Sequence, residues 1–108
     1  MSYQIEISSR AETDLERVLA TLAESSPKAS LRLARNFWKA VQRLRTHPQA
    51  CGLAYEFRYF PEELRHLLFF ANARKKYRAL FVVRDDVVHI LCIRAPGQKP
   101  VKPQDIMD

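Results

Sequence analysis

Polar and apolar positions alternate at the start of the chain. Tyr3, Ile5 and Ile7 are separated by Gln4 and Glu6, the two-residue period of a short, half-buried strand. The period then lengthens. Ala11, Leu15, Val18, Leu19 and Leu22 recur at helical spacing, and Ser9 with Glu12 three positions later reads as a capping box, so a first helix is predicted from Ser9 to Glu24. Ser26-Pro27 is a cap followed by proline at the first helical position. Behind it Leu33, Ala34, Phe37, Trp38, Val41 and Leu44 make one apolar stripe, and this second helix stops near His47-Pro48. With so short a link, the two helices should fold back antiparallel, stripe against stripe.

From Ala50 to Glu63 the periodicity lapses into a loop that holds Gly52, Pro61 and the aromatics Tyr55, Phe57, Tyr59 and Phe60. Leu64–Phe70, Tyr77–Arg84 and Val87–Ile93 are rich in β-branched and aromatic residues and read as strands. Only Asp85-Asp86 separates the last two, a tight hairpin turn without the usual glycine. Pro96, Gly97, Pro100 and Pro103 then predict an irregular tail. The expected fold class is α+β: an N-terminal strand, a two-helix antiparallel hairpin, then a three-stranded antiparallel meander, with the helices on one face of the sheet. One domain is expected over residues 1–95, with a tail over 96–108.

A hairpin turning at Asp85-Asp86 sets Arg84 opposite Val87, Val82 opposite His89, Leu80 opposite Leu91 and Arg78 opposite Ile93, all on one face. Tyr77, Ala79, Phe81, Val83, Val88, Ile90, Cys92 and Arg94 fall on the other. That second face is the more continuously apolar and should pack on the helices, with Trp38, Phe37, Phe81, Val83, Val88 and Ile90 in the shared core. The face bearing Arg78 and His89 is left as the candidate working surface.

Length and charge narrow the picture. At 108 residues and 47% hydrophobic the chain has material for one modest core and no second domain. A net charge of +6 predicts attraction to polyanions or to an acidic protein. Arg74, Lys75 and Lys76 enter the hairpin at the end from which Arg94 leaves, with Lys99 and Lys102 further along the tail. Together with Arg78 they form a cationic end of the sheet that suits phosphates or carboxylates, a solvated surface being the plain alternative. The second helix adds Lys28, Arg32, Arg35, Lys39, Arg43 and Arg45, and no acidic residue lies between Pro27 and Tyr55 to balance them. Nucleic acid, an acidic partner peptide or simple solubility each account for that basic face.

Other chemistry is lacking in the pattern. Cys51 and Cys92 sit in no CxxC or Cys/His grouping and read as free thiols of a reducing cytosol, so neither a metal nor a cofactor is expected. The two glycines are isolated and form no phosphate-cradling loop, and no serine or cysteine nucleophile can be matched with a base. His47 reads as a helix-end residue; His66 and His89 lie in strands, where a structural role competes with general acid or base work. The opening Ser2-Tyr3-Gln4 lacks a basic-then-apolar leader pattern and the apolar runs are too short to span a bilayer, so a cytoplasmic protein without a membrane partner is expected.

Several fragments, in order, resemble the RelE/ParE superfamily of toxins from bacterial type II toxin–antitoxin pairs. Ser8-Ser9-Arg10-Ala11-Glu12-Thr13-Asp14-Leu15 looks like the family's capped Ala-x-x-Asp-Leu helix start, and Leu44-Arg45-Thr46-His47-Pro48 resembles its Leu-x-x-x-Pro helix exit. Leu64-Arg65-His66-Leu67 is similar to its leucine-arginine strand. Lys76-Tyr77-Arg78-Ala79-Leu80, followed by the hairpin through Asp85-Asp86 to Leu91, resembles its Tyr-Arg strand and closing hairpin. The resemblance spans about residues 3 to 95 and implies a toxin neutralised by a cognate antitoxin, here expected to be an acidic, partly disordered segment that folds on contact, possible as a hetero-oligomer. It implies two mechanisms: inhibition of DNA gyrase, as by ParE-like members, or metal-free cleavage of messenger RNA on the ribosome, as by RelE-like ones. Arg78 matches the nuclease arginine, and His89 would join it as a catalytic residue in that case. After His89 no histidine or aromatic residue follows through Asp108, and Arg94-Ala95-Pro96-Gly97-Gln98 departs from the nucleases' basic tail. Gyrase inhibition is therefore the expected activity, with the endoribonuclease as alternative and a non-toxic, degenerate member as a third.

Overall fold

The computed structural model describes residues 2–106. Strand β1 (Gln4–Ile7) leads into helix α1 (Ser9–Ser25), and Ser26 alone separates it from α2 (Pro27–Leu44). The cap of α1 is Ser8 rather than Ser9. Its hydroxyl accepts the Ala11 N–H at 3.0 Å and donates to the Leu91 carbonyl at 2.9 Å, while its backbone N–H donates to Ile90. Ser8 is thus the last residue held by the sheet and the natural point for the helix to begin, and the Ser9–Glu12 box is not made. Ser26 opens α2 as its sequence predicted, its hydroxyl accepting from Ala29 at 3.1 Å, and its N–H also closes α1 on Leu22.

Strands β2 (Arg65–Asn72), β3 (Lys75–Arg84) and β4 (Val87–Arg94) form the expected antiparallel meander. The sheet order is β1-β4-β3-β2, so the first strand lies parallel beside the last, Ile5 level with Val88 and Ile7 with Ile90. Asp85 takes the left-handed conformation that the hairpin turn needs, at φ 56°. A helix of one turn, α3 (Pro103–Ile106), lies in the tail.

The hairpin register holds near the turn and then slips. Arg84 faces Val87 and Val82 faces His89 as expected, but Phe81 pairs with Ile90 and Leu80 with Cys92, leaving Leu91 as an extra residue in β4. Leu80 therefore does not face Leu91, and Arg78 faces Arg94 rather than Ile93. The bulge goes with a tertiary contact: past Leu91 the Ile93 N–H turns to the Asp14 carboxylate of α1, at 3.1 Å. Cys92 and Arg94 consequently move to the face of Arg78, and Ile93 takes their place under the helices.

Both faces of the sheet are covered. Leu33, Phe37, Val41 and Leu44 of α2 and Ala11 of α1 pack on Phe69, Phe81, Val88, Ile90 and Ile93. Trp38, expected in this core, is 48% exposed. It sits about 100° around the helix from Phe37, so when Phe37 points inward the indole lies at the margin, edge-on to the phenylalanine at 4.9 Å. Val83 is only partly buried at the same core's edge. The opposite face, expected to be open, is roofed by the 53–64 loop and the tail: Ala54, Leu64 and Val101 cover Leu80, Val82 and Cys92.

Candidate functional site

Arg78 lies under that roof and is 8% exposed. The loop segment Tyr55–Tyr59 is a short 3₁₀ helix that carries Glu56, fully buried, directly over it. The two guanidinium nitrogens of Arg78 donate to the two carboxylate oxygens at 2.9 and 2.8 Å, a fork-to-fork pair. Glu56 also accepts the Val101 N–H at 3.3 Å, which fastens the tail to the loop. The Tyr55 ring lies across the guanidinium, 4.5 Å from its carbon. Burial by itself would raise the pKa of Glu56, but the hydrogen bonds and charge of Arg78 outweigh it and hold the carboxyl below its ordinary range. Burial likewise opposes the charge on Arg78, and Glu56 more than restores it. Both groups stay ionised, each neutralising the other.

Beside this pair is an open basin of about 300 Å³, lined by Tyr55, His66, Arg74, Lys76, Arg78 and the 95–98 segment. His66 comes from β2, opposite Leu80 and next to the Leu68–Arg78 pair. Burial first, and then the Arg78 charge, push its pKa down, so the ring is neutral at pH 7. Its Nδ1 is buried with no hydrogen-bond partner among the described residues. Arg74 and Lys76 are exposed at the rim, at the β2–β3 turn.

The residues expected to bind anions are thus only partly gathered. Arg74, Lys76 and Arg78 share the basin. Lys75 alternates to the other side of β3 and borders a hollow with Arg17, Tyr77 and Gln98. Arg94 is opposite Arg78 but turns its guanidinium to the Lys99 carbonyl, while Lys99 and Lys102 are exposed in the tail. His89 is remote from Arg78: it faces Val82, four positions along β3 and therefore ~13 Å away. Its Nδ1 lies 3.3 Å from the Glu6 carboxylate of β1. Glu56 and Tyr55 escaped the sequence reading as functional residues. The available signal was that Glu56 is the first carboxylate after Glu24, set alone among aromatics.

The cysteines keep no company. Cys92 is buried under the loop, which pushes its thiol pKa up to about 12, and burial also raises that of half-buried Cys51. Among the described residues no group of three or more His, Cys, Asp or Glu side chains is placed to hold a metal, and no helix is long and apolar enough to cross a membrane.

The basin can hold an anionic group against Arg74 and Lys76, but the arginine at its floor has both its hydrogen-bonding prongs committed to protein. A comparison with curated proteins found no match. A family model described as the ParE toxin of the type II toxin–antitoxin system, parDE, matches residues 5–99.

Proposed function

The chain belongs to the ParE toxin family of type II toxin–antitoxin systems, and from that premise we propose that it acts by inhibiting DNA gyrase, as a binding protein without a hydrolytic site of its own. The observation that carries this reading is the closure of Arg78 by Glu56. A nuclease arginine must meet the phosphate whose charge develops during cleavage, and electrostatic catalysis of this kind depends on a donor held ready rather than one already neutralised. Here each prong of the fork is spent on a buried carboxylate. The second requirement of cleavage, a proton donor or acceptor near the clamp, would fall to His66, whose charged form is disfavoured first by burial and then by the Arg78 charge. Gyrase inhibition needs neither. The partner that neutralises the toxin is an acidic antitoxin, in keeping with the net charge of +6.

The test is to add purified protein to gyrase, ATP and plasmid DNA, and in parallel to induce it in cells. Accumulation of gyrase-linked, broken DNA and a DNA-damage response, with ribosome-bound messenger RNA left whole, is the expected result. Site-specific cuts in that RNA, lost when Arg78→Met and Glu56→Gln are introduced together so that no buried charge is stranded, would overturn it in favour of the RelE-like reading.

A further inference from the structure

Every charged side chain on α2 has the same sign. Lys28, Arg32, Arg35, Lys39 and Arg43 are all exposed, and the helix carries no acidic residue. At about 100° per residue the five fall within an arc of about 80°, on the side away from buried Leu33, Phe37, Val41 and Leu44. No other residue of the helix falls in that arc. It is an unbroken stripe of cations, about 22 Å long from Lys28 to Arg43.

The stripe also carries the molecule's excess charge. With Arg45 just past the helix end, six cations and no acidic residue lie from Pro27 through Tyr55. The other 12 of the chain's 18 lysines and arginines equal its 12 aspartates and glutamates in number, so the net +6 resides here. Among the described residues none of the six is in an ion pair; those are made by Arg10, Arg65, Arg78, Arg84 and His89. Arg32 donates to the Ala71 carbonyl and Arg45 to the Gln42 side chain, neutral acceptors that leave the charge in place.

For the helix alone this arrangement is unfavourable. Lys28 with Arg32, Arg35 with Lys39, and Lys39 with Arg43 are like charges four residues apart, where an acidic residue would have made an attractive pair. A face serving only solubility would intersperse the two signs. A polyanion lying along the stripe removes the repulsion and gains from released counterions, whereas a protein partner finds no apolar residue in the arc to bury.

We propose that the α2 stripe binds the phosphate backbone of duplex DNA. The choice of DNA among polyanions rests on the gyrase reading above, in which the protein works where DNA is held. The contact is independent of base sequence. Amide side chains, which read base edges, flank the arc but are committed: Asn36 donates to the Phe70 carbonyl, and Gln42 accepts from Arg45.

The probe is a fluorescein-labelled duplex of about 20 base pairs and arbitrary sequence, titrated with the full-length protein, without gyrase, between about 50 and 200 mM salt. The binding constant should fall with salt at a log–log slope of about −3 to −4, and a duplex of scrambled sequence should bind equally well. Arg35→Ala with Lys39→Ala should reduce that slope by about 2 and weaken binding about tenfold or more. Arg17→Ala with Arg58→Ala removes the same charge from exposed positions elsewhere and should change affinity less than about twofold. Should the first pair fail to fold, Lys28→Gln with Lys39→Gln carries the same expectation. A slope shallower than about −1, equal losses in the two double variants, tighter binding of an RNA duplex of the same length, or displacement of the DNA by a polyglutamate peptide at equal charge concentration would overturn the proposal. Gyrase poisoning is read in its own assay. A protein that poisons gyrase yet fails these titrations loses only this surface, and one that binds DNA through α2 but leaves gyrase untouched keeps it.

Discussion

The face of the sheet under the helices and the face under the loop bury comparable side chains by different means. On the helical side Phe37, Phe69, Phe81 and Ile90 interlock with no charged group among them. On the loop side Leu64, Leu80, Val82 and Val101 close around an ion pair. The difference follows from backbone chemistry. A helix satisfies its own N–H and carbonyl groups, so it can lay a wholly apolar stripe on a sheet. An irregular segment brings unpaired backbone groups wherever it goes, and each needs a partner. The loop and tail meet that need locally, Ala54 with Leu64 and Phe57 with Ala54, and finally through Glu56, which serves both Arg78 and the Val101 N–H. One sheet thus carries a dry core and a polar clamp, assigned by alternate positions of the same strand: Phe81 to the first, Arg78 to the second.

The comparison breaks first where packing is densest. Phe37→Ala removes a fully buried ring stacked edge-on with Phe69 at 5.0 Å, and should cost about 3–5 kcal/mol in urea unfolding. A loss below about 1.5 kcal/mol would mean that the helical side is not the dominant core. On the loop side the expected currency is charge rather than volume. Glu56→Ala strands a guanidinium beneath the roof and should cost about 3 kcal/mol. Replacing both partners, Glu56→Leu with Arg78→Met, should recover most of that loss. If the double variant is no better than Glu56→Ala, the segment depends on the Val101 contact rather than on the ion pair.

Acid separates the faces without mutation. His66 has a folded pKa below its ordinary 6.5, so the unfolded chain takes up the proton first, and stability is full above pH 6.5 and declines as pH falls below it. Glu56 has a folded pKa below its ordinary 4.5; its contribution is present above that value and lost as pH falls through the depressed one. Two successive declines in unfolding free energy are expected, the first flattened by His66→Gln. Phe37→Ala should lower the whole curve and leave its shape alone. A His66→Gln protein with the same slope just below pH 6.5 as the parent would break this assignment.

Much of the helical side was legible because its cause is periodic: the spacing of Leu33, Phe37, Val41 and Leu44, the Ser26-Pro27 start and the Asp85-Asp86 turn are all local signals. The loop side was not. The bulge at Leu91 depends on Asp14, 79 positions from the Ile93 N–H that it accepts, and no two-residue period announces a register slip of that origin. The place of β1 beside β4 is likewise a tertiary choice between open edges. For the site, sequence picked out Arg78 and the rim cations but read Arg78 as free, because a carboxylate in an aperiodic loop has no predicted address. His66 and His89 looked alike in the sequence; the fold puts one beside Arg78 and the other against Glu6.

Trp38 offers the finest test of where the helical core ends. Counted into the apolar stripe, it would rank with Phe37, and its removal would cost as much as any large-to-small core change. At 48% exposure, with its ring meeting Phe37 edge-on, Trp38→Ala forfeits one aromatic contact and part of its buried area, with no enclosed cavity left behind. The expected loss is about 0.5–1.5 kcal/mol, the scale of an aromatic pair. Chemical denaturation of Trp38→Ala followed by far-ultraviolet circular dichroism measures it without relying on the indole as reporter. A loss of about 3 kcal/mol or more would place Trp38 inside the core and return the boundary to where helical periodicity alone had drawn it.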